Sequence, residues 1–145
     1  MKSRLALLLL SALAAFGRDR IAPTQAMLDA DLASARAAWG EDTEISRIEM
    51  GTINSCDTVS DAAGWFDFAK RTIQINSNCV WDAELLRLAV WHEYGHAVLG
   101  SAAHSLDRKS VMYFQLRHGE TITPEDRARL VASRERERPT LRQAK

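Results

Sequence analysis

Three prolines and seven glycines interrupt 145 residues, too few for a fibrous or low-complexity chain. Neither sign of charge is in excess. Nineteen basic side chains face nineteen acidic ones, which removes any global electrostatic case for nucleic acid or anionic membrane as a partner. No segment repeats. The longest apolar run, Leu5 to Gly17, is too short to span a bilayer, so no stable membrane anchor is expected. Cysteine is scarce as well: Cys56 and Cys79 are the only two, and neither has the spacing of a structural zinc site.

With 46% hydrophobic and 26% charged residues, the chain has the composition of one globular domain with a real core. Lys2 and Arg4 precede the Leu5–Gly17 run, and charge returns at Arg18. That is the layout of a secretory signal peptide over residues 1–17, with an uncleaved N-terminal helix as the other reading. A secreted or periplasmic protein is the expectation. It suits a Cys56–Cys79 disulfide, which would close a loop of about 22 residues and contribute about 3 kcal/mol in the chain-entropy model. Two unpaired buried thiols are the alternative. Residues 18–133 form the expected domain. Residues 134–145, with Arg and Glu alternating from Arg134, read as a solvated helix end or frayed tail.

Met27, Leu28, Leu32, Ala35 and Trp39 recur at helical spacing between Thr24 and Gly40, predicting a first helix. Ile45 to Ile53, Gly64 to Phe68 and Thr72 to Asn76 have strand-like content, with a polar loop from Asn54 to Asp61 between the first two. From Ala83 a long helix follows, with Leu85, Leu88, Ala89, His92, His96 and Leu99 on one face and Gly100 as its left-handed end. Thr123-Pro124-Glu125-Asp126 reads as the start of a last helix: a threonine cap, proline in the first position, acids in the first turn. That helix is expected to end near Ser133. The implied class is α+β in an α/β/α layering, with a small twisted sheet carrying the first helix and the long helix.

His92-Glu93-Tyr94-Gly95-His96 carries the chemistry. Residues four apart on a helix leave the same face about 6 Å along it, so two imidazoles can grip one ion. Glu93, about 100° round from His92, can address a water at that ion without being a ligand. Two histidines alone hold zinc loosely, and a catalytic site has three protein ligands with the fourth position left to water. His104, just beyond the Gly100 turn, is the expected third ligand. Asp107 is the main substitute, and His118 a further one.

From His92 to Ser105, followed by Ser110-Val111-Met112-Tyr113, the sequence resembles the metzincin zinc endopeptidases, most of all their matrixin branch. The likeness extends to Trp81 and to Thr123–Asp126, covering roughly residues 45–131. It implies a zinc-dependent endopeptidase with one catalytic Zn2+, His92, His96 and His104 as ligands and Glu93 as general base. Met112 would form a hydrophobic floor beneath the metal. A protein or peptide substrate would lie extended along an edge strand at Ala63 to Asp67, including Gly64, Trp65 and Phe66. Those aromatics fit a plain core equally well, as does Met112. A C-terminal subdomain holding the methionine turn and final helix, and a monomeric state, complete the expectation.

The likeness has limits. The family's glycine and third histidine lie seven and ten residues after the first. Here Gly100 and His104 lie eight and twelve after His92. One extra helical residue turns the exit by about 100°, so either the added loop residue or a bulge in the helix must restore the path. Loops for structural zinc and calcium, a latency propeptide and a cysteine switch have no evident counterpart. Small intracellular metallopeptidases that cleave repressors share His-Glu-x-x-His and resemble Thr72–Asn78 too. An exported binding domain without catalysis is the other alternative.

Overall fold

The computed structural model describes residues 18–58 and 61–142, with side chains to Arg136. The expected signal peptide at 1–17 lies outside the described residues. Three helices and three strands follow in the order α1 (Gln25–Trp39), β1 (Arg47–Gly51), β2 (Gly64–Asp67), β3 (Thr72–Asn76), α2 (Ala83–Leu99) and α3 (Pro124–Arg142). This is an α+β protein. Among the described residues, no helix is long and apolar enough to cross a membrane.

The caps set the helix bounds. Thr24 accepts from the Met27 N–H at the start of α1, and Gly40 closes it in the left-handed region. Leu28, Leu32, Ala35 and Trp39, spaced four, three and four apart, are its buried stripe. Asp82 caps α2 by accepting from Glu84 and Leu85 N–H groups, and Gly100 ends it at φ 59°.

The sheet has the order β1-β3-β2, with β1 parallel and β2 antiparallel to β3. Alternation along the strands aims Ile48, Ile73, Ile75 and Phe66 into one core with Leu28, Leu32, Leu86, Val90 and Tyr94. The opposite face carries Arg47, Glu49, Asp67, Thr72 and Gln74, none of them buried. Among the described residues, the two helices that meet the sheet, α1 and α2, pack on the face that carries Ile48, Ile73, Ile75 and Phe66. Because β2 is the last strand of the order, its outer edge pairs with no strand among the described residues.

Buried polar groups fasten the loops. Asn76, fully buried, donates from Nδ2 to Asn54 Oδ1 at 2.8 Å and Ala62 O at 3.0 Å, and accepts at Oδ1 from the Asn78 N–H at 3.1 Å. It thereby organises the segment between β1 and β2. A Cys56–Cys79 disulfide ties the same segment to the end of β3. At the start of α3, Thr123 and Asp126 cap each other: the Thr123 N–H donates to Asp126 Oδ2 at 2.9 Å, and the Asp126 N–H to Thr123 Oγ1 at 3.3 Å. Arg127 reaches from α3 to the Ala38 and Trp39 carbonyls at the end of α1. The backbone of α3 continues past the expected end at Ser133 to Arg142. Of the two readings of this segment, a helix end or a frayed tail, the backbone follows the first as far as Arg142, with the good helix formers arginine and glutamate alternating from Arg134 to Arg138.

Candidate metal centre

α2 packs against both α1 and the sheet, so most of its circumference is buried, and its two histidines border a cleft. His92 Nδ1 lies 2.7 Å from the Val111 carbonyl oxygen, and His96 Nδ1 2.8 Å from that of Ser101. A carbonyl only accepts, so each Nδ1 carries the proton and each Nε2 presents a lone pair. Those two Nε2 atoms face each other at 3.1 Å. Two lone pairs at that distance repel unless a cation lies between them. A tetrahedral ion with bonds of roughly 2.0 to 2.1 Å spaces its nitrogens about 3.3 Å apart.

His104 completes the group. Its ring centroid is 5.1 Å from those of both His92 and His96, and one nitrogen of each of the three lies within 4.8 Å of the others. The three histidines therefore lie close enough to bind one metal ion. Burial drives the proton affinity of His92 down to about 3 and of His96 to about 4, the neighbouring imidazoles adding to it at His92. Burial also lowers His104. All three are neutral bases at physiological pH, the form that ligates.

The extra helical residue stays in the helix, and the added loop residue restores the path. α2 is regular to Leu99, Gly100 turns the chain back, and Ser101 to Ala103 lead to His104 without a bulge in the helix. Asp107 is not in the group: its Oδ1 accepts from the Lys109 N–H at 2.9 Å within its own turn. His118 is elsewhere too, with Nε2 2.6 Å from Asp82 Oδ2.

Met112 is fully buried, with its N–H donating to Ser110 Oγ at 2.8 Å. Ser110 Oγ in turn contacts both carboxylate oxygens of Asp126, at 2.9 and 2.7 Å, which links this turn to α3. A Cβ on Gly95 would come within 2.3 Å of Met112 Sδ and 2.6 Å of Trp39 Cζ2, so the sulfur packs directly on the helix between the two ligand positions.

Glu93 is buried and forms no ion pair among the described residues, which disposes of an exposed surface carboxylate. Burial pushes its carboxyl up to about 8 in the metal-free chain. It borders a cleft of about 950 Å3 that also takes in His92, His96 and His104. Ala63, Gly64, Trp65 and Phe66 border it from the β2 side. Tyr113 to Arg117 form the facing wall. Trp65 is 60% exposed, whereas Phe66 is 3% exposed and belongs to the core.

Several contributors escape sequence reasoning. Gly95 is one; a glycine inside a helix costs about 1 kcal/mol against alanine, and that cost was the available signal for a packing role. Phe68 and Phe114, 42% and 57% exposed, join the cleft without any pattern to mark them. The Val111 and Ser101 carbonyls act through backbone, which leaves no trace in residue type. Compared with family models, characterised proteins and solved structures, the chain finds no match in any of the three.

Proposed function

We propose that this protein is a zinc-dependent endopeptidase of the metzincin type, closest to the matrixin branch, acting on extended protein or peptide segments. The observation that carries the reading is the Nε2 pair of His92 and His96, fixed as facing lone pairs at 3.1 Å with His104 beside them. Three neutral imidazoles and no thiolate suit zinc among the common divalent ions. Once bound, zinc supplies a Lewis acid for the scissile carbonyl and makes water a competent nucleophile near neutral pH.

The chain's own residues do the rest. His92 and His96 are held in one tautomer by the Val111 and Ser101 carbonyls, so no reorganisation is needed to present their Nε2 atoms. Glu93, at the wall of the cleft, takes a proton from the attacking water and returns it to the leaving amine. Burial makes its carboxylate the stronger base, and the charge of a cation held by the three histidines would keep it ionised, the form that can accept a proton. The free edge of β2 offers backbone N–H and C=O groups to an extended peptide, aligning the scissile bond across the histidines. Met112 and Trp39 pack behind Gly95 and keep the floor dry.

A disulfide at Cys56–Cys79 accords with work outside the reducing cytosol, in a secreted or periplasmic setting. Metal analysis and proteolysis of an unfolded protein test the proposal together. The purified chain should hold about one zinc, and Glu93→Ala should keep that zinc while losing cleavage. A Glu93→Ala variant that cleaves as fast as the parent eliminates the proposed base; a zinc-loaded parent that cleaves nothing makes the chain a binding domain.

A further inference from the structure

His104 differs from the other two histidines in how it is aimed. The rings of His92 and His96 are each fixed by a carbonyl on Nδ1, and both stand on a helix. The His104 ring is exposed, makes no hydrogen bond among the described residues, and stands on a loop. Its position therefore depends on its backbone, and that backbone is pinned at three points. The Ala103 N–H donates to Ser101 Oγ at 3.1 Å, and the Ser105 N–H to the Met112 carbonyl at 2.8 Å. Between them, Arg129 Nη2 donates to the Ala103 carbonyl at 2.8 Å. The first pin is local to the loop and the second is backbone to backbone. Arg129 alone brings a side chain from a distant element, α3, to the residue immediately before His104.

We infer that Arg129 is the positioning residue for the third ligand, holding the lengthened loop after Gly100 so that His104 closes on the other two imidazoles. The inference rests on the metal-site reading above. Electrostatics alone argues the other way, since the Arg129 guanidinium is close enough for its charge to act at both His96 and His104 and so disfavours a second cation there. The two roles predict opposite signs. If Arg129 acts mainly as a charge, its removal tightens metal binding. If it acts as a brace, removal loosens it.

Zinc affinity measured by chelator competition decides between them, with the cobalt(II) absorption spectrum as a report on ligand number. Arg129→Met, apolar and of similar length, should weaken zinc by about 10-fold or more, and Arg129→Lys, which keeps a cationic donor, should recover part of the loss. In a His104→Ala background the same Arg129→Met change should alter affinity less than about twofold, because a double-mutant cycle isolates what passes through His104. Affinity that is unchanged or tighter in Arg129→Met overturns the inference. So does an equal loss with and without His104, which is the mark of a general structural role. Should Arg129→Met fail to fold, Arg129→Lys decides by the same cycle: affinity weakened in the parent and unmoved in His104→Ala supports the brace, any other pattern overturns it. A parent chain that takes up no metal removes this inference and the proposed function together, whereas a metal-binding parent with an indifferent Arg129 removes this one alone.

Discussion

The sulfur of Met112 rests on the bare backbone of Gly95, so close that a methyl group added to that glycine would stand 2.3 Å from Sδ and 2.6 Å from the Trp39 ring. Met112 could bend away, but the indole of Trp39 is rigid, almost fully buried and tied through Nε1 to the Trp91 carbonyl at 3.1 Å. Gly95→Ala should therefore destabilise the protein by about 1 to 3 kcal/mol, as overpacked cores do, despite the better helix propensity of alanine. Urea unfolding of the metal-free chain measures it. Zinc affinity should fall as well, since the displaced helix carries His92 and His96 on either side of the clash.

Gly64 and Glu93 stand in a similar relation with a different consequence. A Cβ at Gly64 would meet Glu93 Cγ and Oε1, both at 2.8 Å. Here the obstructed atoms belong to the end of a flexible side chain facing a cleft, so the fold can accommodate the change while the carboxylate cannot stay where it is. Gly64→Ala should leave thermal stability and zinc content near the parent's and reduce kcat on a peptide substrate by about 100-fold, the effect of a misplacement near 1 Å. A kcat within twofold of the parent would remove Glu93 from the reaction as described.

The bounds of α1 and the end of α2 were legible because they are written in residue type: Thr24, Gly40 and Gly100 each perform a capping role that depends on one side chain or its absence. The first strand was not. Ile45 to Ile53 has strand-like content throughout, but pairing with β3 covers only Arg47 to Gly51, because the partner strand offers only Thr72 to Asn76. At the site, His92, Glu93 and His96 follow from helix geometry alone. The depth at which Glu93 is buried depends on Gly64 from a separate strand, and the path to His104 on Arg129 from a separate helix, neither of which any local pattern encodes.

Asp126 joins the Ser110–Met112 turn to α3. Fully buried, it accepts from Ser110 Oγ and from both the N–H and Oγ1 of Thr123. Asp126→Ala would strand these donors away from water, and a buried unsatisfied group costs about 1 to 3 kcal/mol. A loss of about 3 kcal/mol in urea unfolding is expected, with weaker zinc binding because Ser110 Oγ also holds the Met112 N–H. Ser110→Ala, which removes one member and leaves Asp126 its Thr123 partners, should cost less than half as much.

Glu120 gives the stability of this fold a pH dependence that can be read without the metal site. It lies between the cleft wall and α3, almost fully buried, and among the described residues neither carboxylate oxygen meets a hydrogen-bond donor at close range. Burial raises its carboxyl from 4.5 to about 7, against a smaller opposing pull from the Arg117 backbone and charge. Between those two values the folded chain holds a proton that the unfolded chain has released, so the contribution of this group to stability is complete below pH 4.5 and is lost as the pH rises through about 7. Glu120→Gln keeps the shape of the protonated acid and cannot ionise. Its melting temperature should therefore exceed the parent's at pH 8 and converge with it near pH 4. A gap that stays constant across that range would mean the Glu120 carboxyl titrates in the fold as it does in the unfolded chain.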